Sequence, residues 1–493
     1  MTISFNPGRR ALLRGGAAAA ASAPFVGALQ ALSVRSAQAA DPASIVGPYG
    51  PIRPVADHAT GLPLLQLPEG FHYKSFSWTG DPMGNGQPVP GSHDGMAVVA
   101  VRKGNGGPEI VLVRNHERGT GTIIDAPGKY DTRGQAGGGT TNLYFPRGVG
   151  EEILTLPSLG GTIVNCAGGP TPWGTWLTCE ETITDLTNAG GSKHGYVFEV
   201  TSDPAFTTGQ PIVGMGRFSH EAVAVDPATG IVYLTQDDRN KSALYRYIPF
   251  DANGRPGSLA LGGRLQAAKV KGVEKANLLT ANLGDTYELE WVDIPDPDAA
   301  PQNVFIPDAS GAVAGPFLQA WNAGALRMSR GEGCWYSNGR IYIVDTSTGI
   351  DAGGRPGRGE GAVWELDLAA MKLKAIFVST DPVSGNNPDN ITIGPRGGVL
   401  LCEDGGGVAD EFGFGDRLMG VMSNGKSYIF AKNNVRLSPE DLAKAGKNVA
   451  PDDYRDNEFC GACFDPSGHF LFVNIQTPGI TFAIWGPWDR GTL

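Results

Sequence analysis

Carboxylates recur beside short apolar runs in this chain, and one of them stands next to a thiol. Thr178-Cys179-Glu180-Glu181 places two acids and a cysteine in line. Adjacent carboxylates repel one another and need solvent or a cation. A thiolate is a soft ligand, so Cys179 favours iron or copper over calcium; the plainer reading is an acidic turn beside a buried cysteine. Two further segments, Arg217-Phe-Ser-His220-Glu221 and Arg330-Gly-Glu332-Gly-Cys334, put a glutamate just ahead of an apolar run with an arginine within four residues. A single glutamate there would be a turn residue. The repetition suggests a metal ligand paired with an anion contact. Asn457-Glu458-Phe459-Cys460 repeats the placement, and Pro388-Asp389-Asn390 adds hard oxygen donors suited to calcium. Asn115-His116-Glu117 and His93-Asp94 extend the series, although a lone histidine is more often a hydrogen-bonded structural residue. Together the series points to one central metal site.

Such a site needs elements that bring distant segments to one place. A Gly-bearing turn followed by a β-rich run ending in acidic or polar residues recurs at Ile110–Val113, Thr175–Thr178, Ile231–Thr235, Ile341–Val344, Val399–Cys402 and Phe470–Val473. Each reads as a hairpin corner feeding a buried strand. The runs begin about 55 to 110 residues apart, irregular for a tandem array but compatible with blades carrying insertions. The expected fold is all-β, a β-propeller of about six blades, because radial repetition gathers equivalent strand ends around one axis. A sandwich or stacked barrels could use the same strands without gathering their acidic ends so directly. Residues 91–493 would form the propeller, with insertions near 250–325, where helix-favouring Ala, Leu and Lys mix with acids, and near 437–456. Gly315–Trp321 reads as a short helix, and Leu437-Ser-Pro-Glu-Asp has the cap and first-turn chemistry of a helix start. Residues 41–90 would be an N-terminal arm and the start of the propeller, with Asp41–Pro63 extended.

The composition agrees. Seventy-two glycines and 36 prolines among 493 residues favour short strands and turns. A net charge of -11 argues against nucleic acid or anionic lipid as the main partner. An acidic chain with an anionic substrate would need local positive charge, most simply from metal ions. Six cysteines permit disulfides in an exported protein, and the Cys460/Cys463 spacing fits a zinc or redox pair or a buried β segment. Residues 1–40 read as a twin-arginine signal peptide: Arg9-Arg10, a weak apolar stretch from Ala17 to Leu32, and the small-residue site Ala37-Gln-Ala39. About 16 moderately apolar residues fall short of the ~20 that span a bilayer. The mature protein is therefore expected to be periplasmic or secreted, free of the membrane, and delivered folded by the twin-arginine export machinery.

Taken in order, His93-Asp-Gly-Met96, Asn115-His-Glu117, Gly174–Glu181, Gly216–Glu221, Pro388-Asp-Asn390, Glu458-Phe-Cys-Gly461 and the closing Phe472–Gly479 resemble the PhoX-type alkaline phosphatases across about 90–488. The resemblance implies a six-bladed propeller with Fe(III) and Ca(II) at its axis, releasing phosphate from small phosphomonoesters. It implies iron ligation by Cys179, Glu221 and Glu332, and calcium or bridging ligation by Glu117, Glu180, Asp389 and Glu458. Arg330 matches a phosphate-contacting arginine; no single group stands out to protonate the leaving group, for which His220, His116 and a metal-bound water are the alternatives. Ser219, where larger members often carry a base, and Gly331 and Gly333, where they carry bulkier residues, depart from the pattern. A calcium-dependent propeller lactonase and a non-catalytic metal- or phosphate-binding propeller are the alternatives. A monomer is expected.

Overall fold

All six β-rich runs form strands, Gly107–His116, Thr175–Glu180, Val232–Gln236, Arg340–Asp345, Val399–Glu403 and Leu471–Ile475. Their Val, Ile, Leu and aromatic content suits a pleated surface covered on both faces. The computed structural model describes residues 46–104, 107–146 and 153–493. The signal sequence expected at 1–40 lies outside the described residues. No helix among the described residues is long and apolar enough to cross a membrane.

Each of these strands is the second of an antiparallel set. Its first-strand partner, in the same order, is His93–Gly104, Asn165–Pro170, His220–Val225, Gly331–Ser337, Pro388–Ile393 and Phe459–Phe464. The first strands pack side by side in sequence order, and the last of them packs back against His93–Gly104, closing a ring. The Ile480–Trp485 strand near the end of the chain pairs with the early His72–Phe76 strand, so chain ends lock one sheet. This is a propeller-like all-β arrangement.

Hydrogen bonding does not divide the strands into six blades. Among the described residues it gives sheets of nine, six, five and four strands, one of three, and two small hairpins. The nine-stranded sheet arises because Thr286–Asp293 pairs with both Gly263–Val270 and Lys372–Val378 and joins two sets. Two of those strands, Gly263–Val270 and Thr286–Asp293, occupy the 250–325 segment, where composition suggested helix. Alternating burial against two neighbouring cores overrides propensity there, with Leu265 and Ala267 in one apolar cluster and Ala268 and Val270 in another. Within the 41–90 segment, Ile52–Val55 and Leu65–Pro68 add strands to the edge of the six-stranded sheet.

Both expected helices are present, Gly315–Asn322 and Pro439–Ala445. The second opens with a capping box between Ser438 and Asp441 and closes at Gly446 in the left-handed conformation. Apolar clusters fill the spaces between sheets, such as Leu177, Val197, Phe218, Val223, Leu234 and Tyr245. Each fully buried large side chain contributes roughly 1.5–3 kcal/mol. All six cysteines are buried and free, and Cys460 and Cys463 lie on one buried strand rather than in a zinc or redox pair.

Candidate metal centre

A β-bulge sits near the start of every first strand. The pairing runs from His93↔His116 to Met96↔Arg114, from Asn165↔Glu180 to Gly168↔Thr178, and from His220↔Gln236 to Val223↔Leu234. It then runs from Gly331↔Asp345 to Cys334↔Ile343, from Pro388↔Glu403 to Ile391↔Leu401, and from Cys460↔Asn474 to Cys463↔Phe472. In each, two residues of the first strand face one of the second. A bulge bends its strand and re-aims a side chain that regular alternation would send elsewhere. In five of the strands the first bulged residue is a ligand type: Asp94, Cys166, Glu221, Glu332 or Asp389.

Bulging frees backbone groups from the ladder, and polar side chains recover several of them. Asn115 Nδ2 donates to the Cys166 and Ala167 carbonyls at 3.1 and 2.7 Å. Thr235 Oγ1 donates to the Glu332 carbonyl, and Asn474 Nδ2 to that of Asp94 at 2.7 Å. Small residues let the bulges touch. A Cβ at Gly333 would lie 2.6 Å from the Asp389 carbonyl oxygen, and one at Gly461 2.5 Å from that of Asp94.

The other half of the site comes from residues just past the second strands: Glu117, Glu181, Asp237 and Asp404. In each of four sets the donor atoms lie within 4.8 Å of one another, namely Cys166/Glu181/Glu221, Glu221/Glu332/Asp389, Asp389/Asp404/Glu458 and Asp94/Glu117/Glu458. Glu221, Asp389 and Glu458 each belong to two sets, so the sets form one unbroken chain. Arg330 is a cation in contact with it. Its Nε donates to Asp237 Oδ1 at 2.7 Å, its Nη2 binds Asp237 Oδ2, and Nη2 lies 3.0 Å from Glu332 Oε1.

The electrostatics are those of a site built for added positive charge. Burial, then the neighbouring carboxylates, pushes Glu221 and Asp94 well up, and lifts Asp389 to about 7. Glu117 rises to about 7, chiefly through burial. Glu332 is raised by burial and by Asp237, with Arg330 opposing. Burial also acts upward on Asp237, but the Arg330 guanidinium holds it below the usual carboxylate range. Glu332 Oε1 is buried without a partner of hydrogen-bonding geometry. Carboxylates this close stay ionised only if cations join them. The donors fit: three sets offer hard oxygens alone, and one adds a thiol.

The structure gathers Glu221, Glu332, Asp389, Glu117, Glu458 and Arg330 here. Cys179, Glu180 and His220 lie elsewhere. Cys179 stands on the second strand opposite a bulge, where Asn115 and Thr235 also stand and turn to a neighbouring strand's bulge. Its thiol packs among Leu177, Val197, Phe218 and Val223, and Cys166 is the thiol of the acidic chain. Glu180 faces away from Glu181 and accepts from the N–H groups of Ile163, Gly195 and Tyr196 and from His194 Nδ1 at 2.6 Å. A carboxylate so saturated has no lone pair for a metal. His220 alternates with Glu221, so its ring stacks on Phe218 and bonds the Gly216 carbonyl at 2.9 Å. Burial pushes its pKa down to about 3, and it protonates no leaving group at this site. His116 is likewise held by the Gly91 carbonyl and Thr141. Arg217, read as an anion contact, is buried and donates to the carbonyls of His194 and Ile183. Asp94, Glu181, Asp237 and Asp404 were visible within acidic motifs. Cys166, in Asn165-Cys-Ala-Gly-Gly169, carried no acidic signal.

An all-β, propeller-like protein with a chained acidic and thiol cluster at one end of its strand ring is thereby defined. The family model for alkaline phosphatase PhoX matches residues 47–147 and 148–479, and the chain belongs to that family. Pseudomonas fluorescens PhoX, solved in complex with vanadate, a transition state analogue, shares the fold at TM-score 0.61 and 17% identity, covering 91% of this chain and 99% of that one. Virginiamycin B lyase from Staphylococcus aureus is more distant (TM-score 0.34, 9% identity, 84% and 99% covered). So is the gluconolactonase XC5397 from Xanthomonas campestris (TM-score 0.30, 13% identity, 81% and 97% covered). No protein with a curated description matches the chain by sequence.

Proposed function

We propose that this protein is an exported, metal-dependent phosphatase that releases phosphate from small phosphomonoesters at a ferric iron and calcium centre. The observation that carries the reading is the unbroken chain of four donor sets beside Arg330. Cys166, Glu181 and Glu221 would hold iron, with Glu332 and Asp389 joining through the shared Glu221. The all-oxygen sets of Asp94, Glu117 and Glu458, and of Asp389, Asp404 and Glu458, suit calcium. Cations bound there supply Lewis-acid charge to the phosphoryl oxygens and lower the pKa of water. The protein's own part is positioning. Asp237 holds the Arg330 fork in place, and the guanidinium edge left over recognises a phosphoryl group whose charge spreads over three oxygens at the transition state. Vanadate bound to Pseudomonas fluorescens PhoX supports the same class of chemistry. A thiol among the ligands favours this over a calcium lactonase, which has no use for one.

The test is to express the full chain in a twin-arginine-competent host and measure iron and calcium by elemental analysis. Hydrolysis of a chromogenic phosphomonoester at alkaline pH is then followed with and without chelator. We expect iron and calcium, chelator-sensitive hydrolysis, and a loss of about 100-fold in kcat/KM for Arg330→Ala, the scale of one transition-state donor. Absence of both iron and hydrolysis overturns the reading. Iron without hydrolysis would make the protein a non-catalytic binder.

A further inference from the structure

His194 has no role in the chemistry above, yet it is among the most constrained side chains in the molecule. It is fully buried between two carboxylates, Nδ1 at 2.6 Å from Glu180 Oε1 and Nε2 at 3.3 Å from Asp131 Oδ2. Both ring nitrogens must donate for both contacts to be hydrogen bonds, so the geometry requires the imidazolium. Burial alone would lower its pKa, and the Glu180 and Asp131 carboxylates outweigh it and raise it.

The surroundings tie this histidine to two of the candidate ligands. Glu180 precedes Glu181, and the Glu181 N–H donates to the Val164 carbonyl at 2.8 Å. Glu181 also forms an isolated antiparallel bridge with Ser219, two residues before Glu221. Arg217, four residues before Glu221, donates from Nε to the His194 carbonyl at 3.0 Å and from Nη2 to the Ile183 carbonyl at 2.8 Å. At Gly195, φ is +107° and a Cβ would collide with the Thr182 carbonyl, so the two segments are wrapped closely. One truss therefore connects the backbone that carries Glu181 to the backbone that carries Glu221.

We propose that His194, clamped by Arg217, is a positioning residue that sets the spacing of Glu181 and Glu221 and so the iron affinity of the thiol-bearing donor set. The inference rests on the reading of that set as the iron site. Outer residues that orient metal ligands typically change affinity 10–100-fold.

His194→Gln and Arg217→Lys would be purified beside wild type, with the exposed His72→Gln as control. Bound iron, the chelator concentration that strips it, the thiolate-to-iron absorption, kcat and KM are measured. We expect His194→Gln to release iron at a chelator concentration at least about tenfold lower. Its absorption band should shift or weaken, and kcat should fall more than KM rises while calcium is retained. Wild-type iron retention, band and kcat, with only a lower melting temperature, would reduce His194 to a structural residue and overturn the proposal. Should His194→Gln fail to fold, Arg217→Lys gives the same readings, because it removes one arm of the truss and keeps the charge. Wild-type protein that holds iron without hydrolysing phosphomonoesters would sink the proposed activity alone, since iron retention still reads His194. Wild-type protein without iron would remove both.

Discussion

Cys166 and Cys179 are both buried thiols whose pKa is pushed well up, first by burial. What separates them is the next shell: Cys166 meets Glu181 and Glu221, and Cys179 meets apolar side chains. Cys166→Ser is therefore expected to lose iron and hydrolysis together. Cys179→Ser should keep both and lose about 1–3 kcal/mol of stability, the cost of a buried hydroxyl without a partner. Elemental analysis with urea unfolding separates the two outcomes. The same logic divides the adjacent acids. Glu180→Gln turns an amide toward donors and strips the His194 imidazolium of a partner, which should cost about 3–5 kcal/mol. Glu181→Gln should barely change the urea midpoint and should reduce bound iron.

At the scale of elements, the bulges do the positioning, and they work only because neighbouring strands come very close. Gly461 has φ +63° and faces the Asp94 carbonyl, so Gly461→Val combines backbone strain with overpacking. A loss of about 1–3 kcal/mol from overpacking is expected, with weaker metal retention because Asp94 and Glu458 flank the contact. Gly339 has φ +75° in open space, and Gly339→Ala should show only the ~1–2 kcal/mol of left-handed strain with no change in metal. Denaturation curves and metal content of the pair distinguish the contact from the strain. These bulges were not legible in the sequence, because a bulge is a mismatch between two strands and neither strand displays it alone. The second strands were legible, since their apolar runs and turn residues are local. Hence the acids just past them, Glu117 and Asp404, could be read directly.

For the whole molecule, the acidic chain couples stability to pH and metal. Without cations, Glu117 and Asp389 carry pKa values raised to about 7, above the usual carboxylate range. The folded metal-free protein then binds more protons than the unfolded chain, so its stability falls as pH rises. The contribution is fully present below about pH 4, where both states are protonated, and is lost as pH climbs through about 7. Chelated protein should therefore melt at progressively lower temperature from pH 5 to 8. Metal-loaded protein should not, since bound cations replace the protons. Calorimetric scans with and without chelator read the difference. A chelated protein whose melting temperature rises over that range would contradict the electrostatics described for the cluster.

What the sequence alone determined was the all-β character, the second strands, both short helices and the acids Glu221, Glu332, Asp389, Glu117 and Glu458 that the fold gathers in one cluster beside Arg330. All of these follow from local patterns: apolar runs, capping residues, and acids at run ends. The identity of the thiol, the structural duty of Glu180 and the outward turn of His220 were decided by tertiary structure. A strand's side chains alternate, so one residue's shift in register exchanges a ligand for a core residue. Only pairing to a neighbour sets that register. The sheet division was decided in the same way, when Thr286–Asp293 found partners on both sides and joined two sets of strands into one.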